Sequence, residues 1–254
     1  DKTMALSFAD DNFGMYELDV EVADVIAWCQ DTYGWPKYIR TTTGKNRGER
    51  IIEVMRKIRG ALPMTAAVQS MSPVVLENIK RSNIKLETYA EIQKEVRAQG
   101  MQSYGEMILG LPGETKDSFM KGISDLLDTG VLRVSAHQLM LLHGAPLNNP
   151  DQRERFKFKT RFRVVARDVG DYGTDEPVIE TEEMVVESAT LSFEDYLDVR
   201  VFHLLLTIFF YEGNIEEAFA FAKERGVKAF DLIVRLQQLL DRAPAGFRKV
   251  IEVN

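Results

Sequence analysis

Four short clusters in this 254-residue chain bring together residue types that bind or react: Asp10-Asp11-Asn12, Gln69-Ser70, Gly110-Leu111-Pro112-Gly113 and Leu142-His143. The third lies in the most informative stretch, MQSYGEMILGLPGETKDSF at 101–119. There an apolar run (Met107, Ile108, Leu109) enters a Gly-Leu-Pro-Gly turn, and Glu114-Thr115 open an amphipathic helix. Glycine lets the backbone come close to a ligand, and a new helix offers unpaired N–H groups beside it. A plain strand–turn–helix uses the same residues, so the turn alone does not decide. His143 follows an apolar run, where an imidazole can contact substrate or donate a proton.

Other reactive residues read more simply. Gly44-Lys45 follows three threonines but lacks the glycine spacing of a phosphate loop. His137 sits inside a strand pattern with no cysteine or histidine cluster to complete a metal site. His203, within the apolar run 201–211, reads as a satisfied interior histidine in a buried helix. Cys29 falls at helical spacing with Val22, Val25 and Ile26 and reads as core. Trp28 and Trp35 flank a helix end and read as packing residues. No nucleophile elbow supports a Ser-His-Asp triad.

The first 150 residues carry the elements that must position these clusters. Apolar strand patterns lie at 4–9, 37–42, 63–69, 101–109 and 132–142, with amphipathic helices at 20–33, 47–59, 73–81, 88–99 and 116–128. Ser72-Pro73 is an N-cap followed by proline at the first helical position. Gly34, Gly60, Gly100 and Gly130 stand where helices should stop. Strands about thirty residues apart with helices between predict parallel βαβ units, and hence part of an α/β barrel. Each strand ends in a polar or glycine-rich loop, which predicts one functional rim at the strands' C-terminal ends.

Beyond residue 150 the pattern changes. RFKFKTRFR (155–163) alternates Phe156, Phe158 and Phe162 with five basic residues, a period-two strand. Residues 171–198 hold ten carboxylates and no Lys or Arg, with a strand-like core at 178–186. A charged ladder across a hairpin turning at 170–177 is the simplest account, ahead of a phosphate or nucleic-acid groove. Mostly helix follows, with capping-box spacings at Ser192/Asp195 and Asn214/Glu217. The expected domains are 1–150 and 151–254.

Composition narrows the classes. The chain is 45% hydrophobic, enough for one substantial core with a small second lobe, and its net charge of −7 argues against a dedicated nucleic-acid binder. One cysteine excludes an internal disulfide framework and fits a cytoplasmic protein. No apolar run reaches transmembrane length. The chain starts without Met and almost directly in a strand, which reads as a fragment.

FADDNFGM, AAVQSMSPVVLENIKR and ILGLPGET, in that order, resemble the radical S-adenosylmethionine (SAM) superfamily, and within it the cobalamin-binding-domain-containing radical SAM proteins. The resemblance covers roughly residues 4–150. It implies strands 2 to 6 of a partial (β/α) TIM-like barrel, followed by a small α/β, mostly helical C-terminal extension. It implies reductive cleavage of SAM by a [4Fe–4S] cluster to a 5′-deoxyadenosyl radical, with cobalamin-dependent methylation or rearrangement of an unactivated carbon. A small-molecule or lipid-like substrate and an electron donor such as flavodoxin or ferredoxin go with it.

Position by position, the resemblance implies that Asp10, Asp11 and Asn12 meet the SAM ammonium, where carboxylates suit a cation. Many members have Gly-Gly-Glu there. Gln69 and Ser70 match the position contacting ribose or the methionyl carboxylate. Ile108, Gly110 and Gly113 match the adenine side, and Leu142 and His143 end the next strand near adenine or substrate. The family holds its cluster through a CxxxCxxC loop after the first strand, because three thiolates bind three irons. This chain has no such loop, so the resemblance places the cluster ligands and the cobalamin domain upstream and expects the chain alone to be inactive. Two other classes stay open: a cluster-free barrel acting as a binding or scaffold subunit, and an unrelated α/β-barrel lyase.

Overall fold

The computed structural model describes residues 4–44, 47–83, 86–98, 100, 103–171, 173 and 176–253, with main chain only at 64–67, 167–168, 252 and 253. Lys45, Gln99 and Met101 lie outside the described residues, as does part of the turn expected at 170–177. The fold is mixed α/β. Strands β1 (Ala5–Ser7), β2 (Tyr38–Arg40), β3 (Met64–Gln69), β4 (Ser103–Leu109) and β5 (Arg133–Gln138) follow the expected order. Among them run helices α1 (Glu17–Tyr33), α2 (Gly48–Lys57), α3 (Pro73–Asn78), α4 (Leu86–Ala98) and α5 (Lys116–Asp128). β1 and β2 pair in parallel with Ala5 opposite Tyr38, and a second sheet has the order β3-β4-β5. In it β3 and β4 are parallel, Met64 opposite Ser103. Among the described residues these sheets are small and open.

The chain forms two compact units: Asp1–Gln69 with Asn83–Met107 and Ile123–Ser135, and Ser70–Ser82 with Ile108–Gly122 and Ala136–Asn254. The first has a core of Phe13, Ala23, Ile26, Ile39, Val54, Ile58 and Leu62. Burying each large side chain of this kind contributes about 1.5–3 kcal/mol. Helix α1 buries Asp19, Ala23 and Ile26, a face turned from the one its apolar residues suggest. Val25 is 60% exposed, Cys29 is only half-buried, and Trp28 is exposed and meets the Tyr33 ring edge-on at 5.6 Å. The core reading of Cys29 with Val25, and the packing reading of Trp28, are corrected accordingly. On the buried face, Asp19 accepts the Gly14 and Tyr16 N–H groups at 2.8 and 2.9 Å, while Val22 and Ile26 of the expected pattern do pack in the core. Along β4, Ser103, Gly105, Met107 and Leu109 are buried while Tyr104, Glu106 and Ile108 are half-buried, as expected for a strand covered on both faces.

In the second unit, helix α6 (Pro150–Phe156) precedes strands β6 (Lys159–Gly170) and β7 (Val178–Glu187), which pair antiparallel. Arg155 and Phe156 are therefore helical, not the start of a strand. Proline at the first helical position sets α6, and Lys157, at φ 52°, turns the chain before the strand begins. The expected phenylalanine face is split: Phe158 packs beside Val75, Leu139 and Val185, whereas Phe162 is 69% exposed. The charged ladder forms, with Lys159 to Glu187 at 2.5 Å and Arg163 to Glu182 at 2.7 Å. At its base β7 pairs a second time, the Leu141 N–H donating to Glu183 O and the Val185 N–H to Leu139 O.

The remaining helices are α7 (Phe193–Leu205), α8 (Glu216–Glu224), α9 (Ala229–Gln238) and α10 (Ala245–Val253). Ser192 caps α7, accepting the Asp195 N–H at 3.1 Å. Asn214 does not cap α8: Ile215 holds that position, and the Asn214 amide donates to Ile208 O at 2.6 Å. That contact closes a π-helical segment, Leu206–Tyr211, into which α7 runs. The run expected as one buried helix thus widens halfway, and of 201–211 only Phe202, Leu205 and Leu206 are fully buried. His203 is partnered as expected, accepting the Ala136 N–H on Nε2 at 3.2 Å. No described helix is long and apolar enough to cross a membrane.

Candidate functional site

The Gly-Leu-Pro-Gly turn leads directly into a buried carboxylate. Glu114 is fully buried in the second unit. Ser70 Oγ donates to its Oε2 at 2.6 Å, and the Ser118 hydroxyl donates to Oε1. Thr190 Oγ1 donates to the Glu114 carbonyl at 2.7 Å. Burial pushes the Glu114 carboxyl above its ordinary value, while the bonds from Ser118, Ser70 and the Thr115 backbone pull it down. Thr115 and Ser118 cap α5 reciprocally, the Ser118 N–H donating to Thr115 Oγ1 at 3.1 Å and the Thr115 N–H to Ser118 Oγ at 3.0 Å. Sequence reading assigned Glu114 only to the helix start. Its hydroxyl partners are 44 residues upstream and four downstream, and only the nearer spacing is a local signal.

The turn glycines follow from this construction. Gly110 has φ 92° and Gly113 φ 84°, left-handed conformations that side chains resist. A Cβ on Gly110 would lie 3.5 Å from Val185 O, and one on Gly113 only 2.7 Å from Asn78 Nδ2. That amide in turn donates to Pro112 O at 3.0 Å. The space left by both missing side chains is thus taken up by protein. Ile108 is half-buried and packs with Leu111, Leu139, Leu141 and Val185. Ser70 Oγ also accepts the Ser72 N–H at 3.1 Å, just ahead of α3.

Leu142 and His143 are exposed in the loop after β5. Asn148 holds that loop by donating to Leu141 O and Leu142 O, each at 3.1 Å, and accepts from Arg153 Nη1 at 2.7 Å. Arg153 forks onto both oxygens of Glu183, and Thr160 Oγ1 donates to Glu183 Oε1 at 2.6 Å. The guanidinium holds the Glu183 carboxyl below its ordinary value, with a smaller contribution from His143.

The first unit holds Asp10, Asp11, Asn12 and Gln69. Asp10 accepts the Asn12 N–H at 2.8 Å, closing a local turn that leaves Asp11 and Asn12 exposed. Thr41 Oγ1 donates to the Asp10 carbonyl at 2.6 Å, and Phe13 bridges Thr43 in parallel, so the loops after β1 and β2 are tied together. Gln69 has φ 63° and follows a bulge in β3, an uncommon conformation for a residue with a side chain. Among the described residues no group of three or more His, Cys, Asp or Glu is placed to hold a metal ion.

No family model matches the chain. Over 201 residues it is 34% identical to the cobalamin-dependent radical SAM methyltransferase TokK of Streptomyces tokunonensis, a match covering 76% of this chain and 29% of the relative. Over 197 residues it is 32% identical to the 2-(S-pantetheinyl)-carbapenam-3-carboxylate methyltransferase of Streptantibioticus cattleyicolor, with the same coverage. The chain thus spans about 29% of the length of these relatives. Among solved structures, the radical SAM methyltransferase TsrM of Kitasatospora setae, with tryptophan and a SAM analog bound, superposes with a TM-score of 0.47 at 11% identity. That superposition covers 64% of this chain and 32% of TsrM.

Proposed function

We propose that this chain, a homologue of cobalamin-dependent radical SAM methyltransferases over three quarters of its length, is the SAM-binding part of such an enzyme. The 34% identity over 201 residues, 76% of the chain, carries the reading. In this reading residues 1–150 form a partial radical SAM barrel, 151–254 its C-terminal extension, and the working enzyme is cytoplasmic with a small-molecule substrate and a separate electron donor. Bound SAM, a [4Fe–4S] cluster and cobalamin supply the radical and methyl chemistry.

The residues described here do not fit the cluster. Cys29 is the chain's one thiol, and an iron–sulfur cluster needs several thiolates. Its ligands would come from polypeptide beyond this sequence. SAM is a better match. In the first unit Asp10, Asp11 and Asn12 would meet the ammonium, the latter two being exposed. Gln69 would reach ribose or carboxylate from its left-handed backbone. In the second unit the Ser70 hydroxyl is already engaged with Glu114 and Ser72, so Ser70 would act through its main chain. Ile108, Gly110 and Gly113 would lie on the adenine side only through main-chain atoms, since Ile108 packs in the apolar cluster and protein fills the space beside both glycines. Leu142 would pack beside adenine, and His143 would hold or move a proton on the substrate.

The test is anaerobic reconstitution of the product of the complete reading frame with iron, sulfide and cobalamin, followed by SAM consumption and methyl transfer. Iron incorporation with SAM turnover is the expected result. A complete frame without CxxxCxxC, or a protein that takes up no iron and leaves SAM intact, would instead favour the scaffold reading.

A further inference from the structure

The C-terminal helices of the second unit line a solvent-open cavity of about 530 Å³ that no part of the SAM reading uses. Leu205 at the end of α7 and Phe209 of the π-helical segment line it, with Leu236 and Leu239 from α9 and its end, and Phe247 of α10. Phe209 and Phe247 lie 5.8 Å apart at a 44° tilt. Arg242, exposed, is the only charged residue of the described lining, and no ion pair to another described residue engages it.

Three physical points converge. The cavity opens to solvent, and its volume is ordinary for a ligand site. The other lining residues are Leu, Phe, Ala and Pro, whose side chains offer no hydrogen bond, so polar atoms in a ligand's body would be stranded. One guanidinium offers a planar fork that matches a single carboxylate. The wall is also interrupted by an i→i+5 segment, a backbone feature frequent at functional sites.

We infer that this cavity binds a free amphiphilic monocarboxylate, with its hydrocarbon body among Leu205, Phe209, Leu236, Leu239 and Phe247 and its carboxylate on Arg242. The inference does not rest on the radical SAM reading, since the described lining falls within residues 205–247 and needs no cofactor.

Calorimetric titration of the 254-residue chain with decanoate tests it, with decan-1-ol and phosphatidylglycerol vesicles as separate arms. Decanoate is expected to bind saturably at one site and more tightly than decan-1-ol. Arg242→Gln should weaken decanoate about fivefold while leaving decan-1-ol unchanged, the upper size expected for one solvent-exposed ion pair. Arg235→Gln, on the same helical layer but outside the cavity, should change neither. Absence of saturable decanoate binding would overturn the inference, as would equal affinity in Arg242→Gln. So would capture by vesicles without binding of free decanoate, or occupation of the cavity by a second copy, seen as dimerisation that decanoate does not reverse.

Discussion

Glu114 and Glu183 are two carboxylates in one compact unit, held by opposite physics. Glu114 is fully buried and rests on the Ser70 and Ser118 hydroxyls and the Thr115 N–H, with no cation among the causes of its shift, so burial drives its pKa up. Glu183 sits under the Arg153 fork and the Thr160 hydroxyl, and its pKa is driven down. The turn that carries the proposed SAM contacts is therefore fixed by neutral hydrogen-bond geometry. The loop presenting His143 is fixed by charge. The turn and the loop therefore respond to pH in opposite senses.

The largest expected effect comes from deleting the buried carboxylate. Glu114→Ala leaves two buried hydroxyls without their acceptor and should cost about 3 kcal/mol of unfolding free energy, measured by urea denaturation. Glu114→Gln keeps shape and an acceptor and should cost about 1 kcal/mol. If Glu114→Ala proves as mild as Glu114→Gln, the carboxylate is not what joins Ser70 to α5.

pH separates the two carboxylates more sharply than size does. The folded-state pKa of Glu114 is raised, so its contribution is full below the ordinary 4.5 and is lost as pH rises through the folded value. Wild type should therefore lose ground relative to Glu114→Gln on going from pH 4 to 7. The folded-state pKa of Glu183 is lowered, so its contribution is present above 4.5 and is lost as pH falls through the folded value. Wild type should lose ground relative to Glu183→Gln on acidification. Parallel pH slopes for the two variants would remove the contrast.

Gly113→Ala ranks next, at about 1–2 kcal/mol, since it adds left-handed strain to a clash with the Asn78 amide. Gly110→Ala meets ordinary contacts at 3.5 Å and should cost the strain alone, about 1 kcal/mol. Equal losses would mean that Asn78 yields freely, and thermal melts of the pair with Asn78→Ala would show it.

Much of this construction was legible in the sequence where signals are local. The strand–helix alternation and the Ser192/Asp195 cap follow from hydrophobic period and capping chemistry, and the hairpin ladder from charge alternation. Ser72 takes the N-cap position ahead of Pro73, but its side chain makes no cap bond. The misses share a cause in side-chain hydrogen bonds that hydrophobic period and capping spacing do not encode, two of them local and one spanning 44 residues. Val25 belongs to an apolar pattern, yet the buried face of α1 includes Asp19, which accepts N–H groups from the preceding loop. Asn214 has capping spacing, yet its amide is drawn to Ile208 O. Glu114 reads as a helix-start residue because Ser70, its partner, is 44 positions away. In the candidate site, the hydrogen bond from the Ser70 hydroxyl to Glu114 and the atoms that fill the space beside Gly113 were not readable, because the partners lie more than thirty residues away.

The smallest expected effect lies in the same hairpin as Glu183 and marks the limit of the charge argument. Lys159 and Glu187 approach to 2.5 Å, yet their side chains are 67% and 28% exposed, against 32% and 14% for Arg153 and Glu183. Water screens the first pair, and ordering a long lysine side chain offsets most of its Coulomb gain. A double-mutant cycle with alanine should give about 0.3 kcal/mol for Lys159–Glu187, vanishing at high salt, and about 1 kcal/mol for Arg153–Glu183, largely retained. The fork and the Thr160 bond make the difference, because they fix Glu183 before any long-range attraction counts. Equal coupling energies would mean that charge alone, irrespective of burial and bidentate geometry, holds the His143 loop.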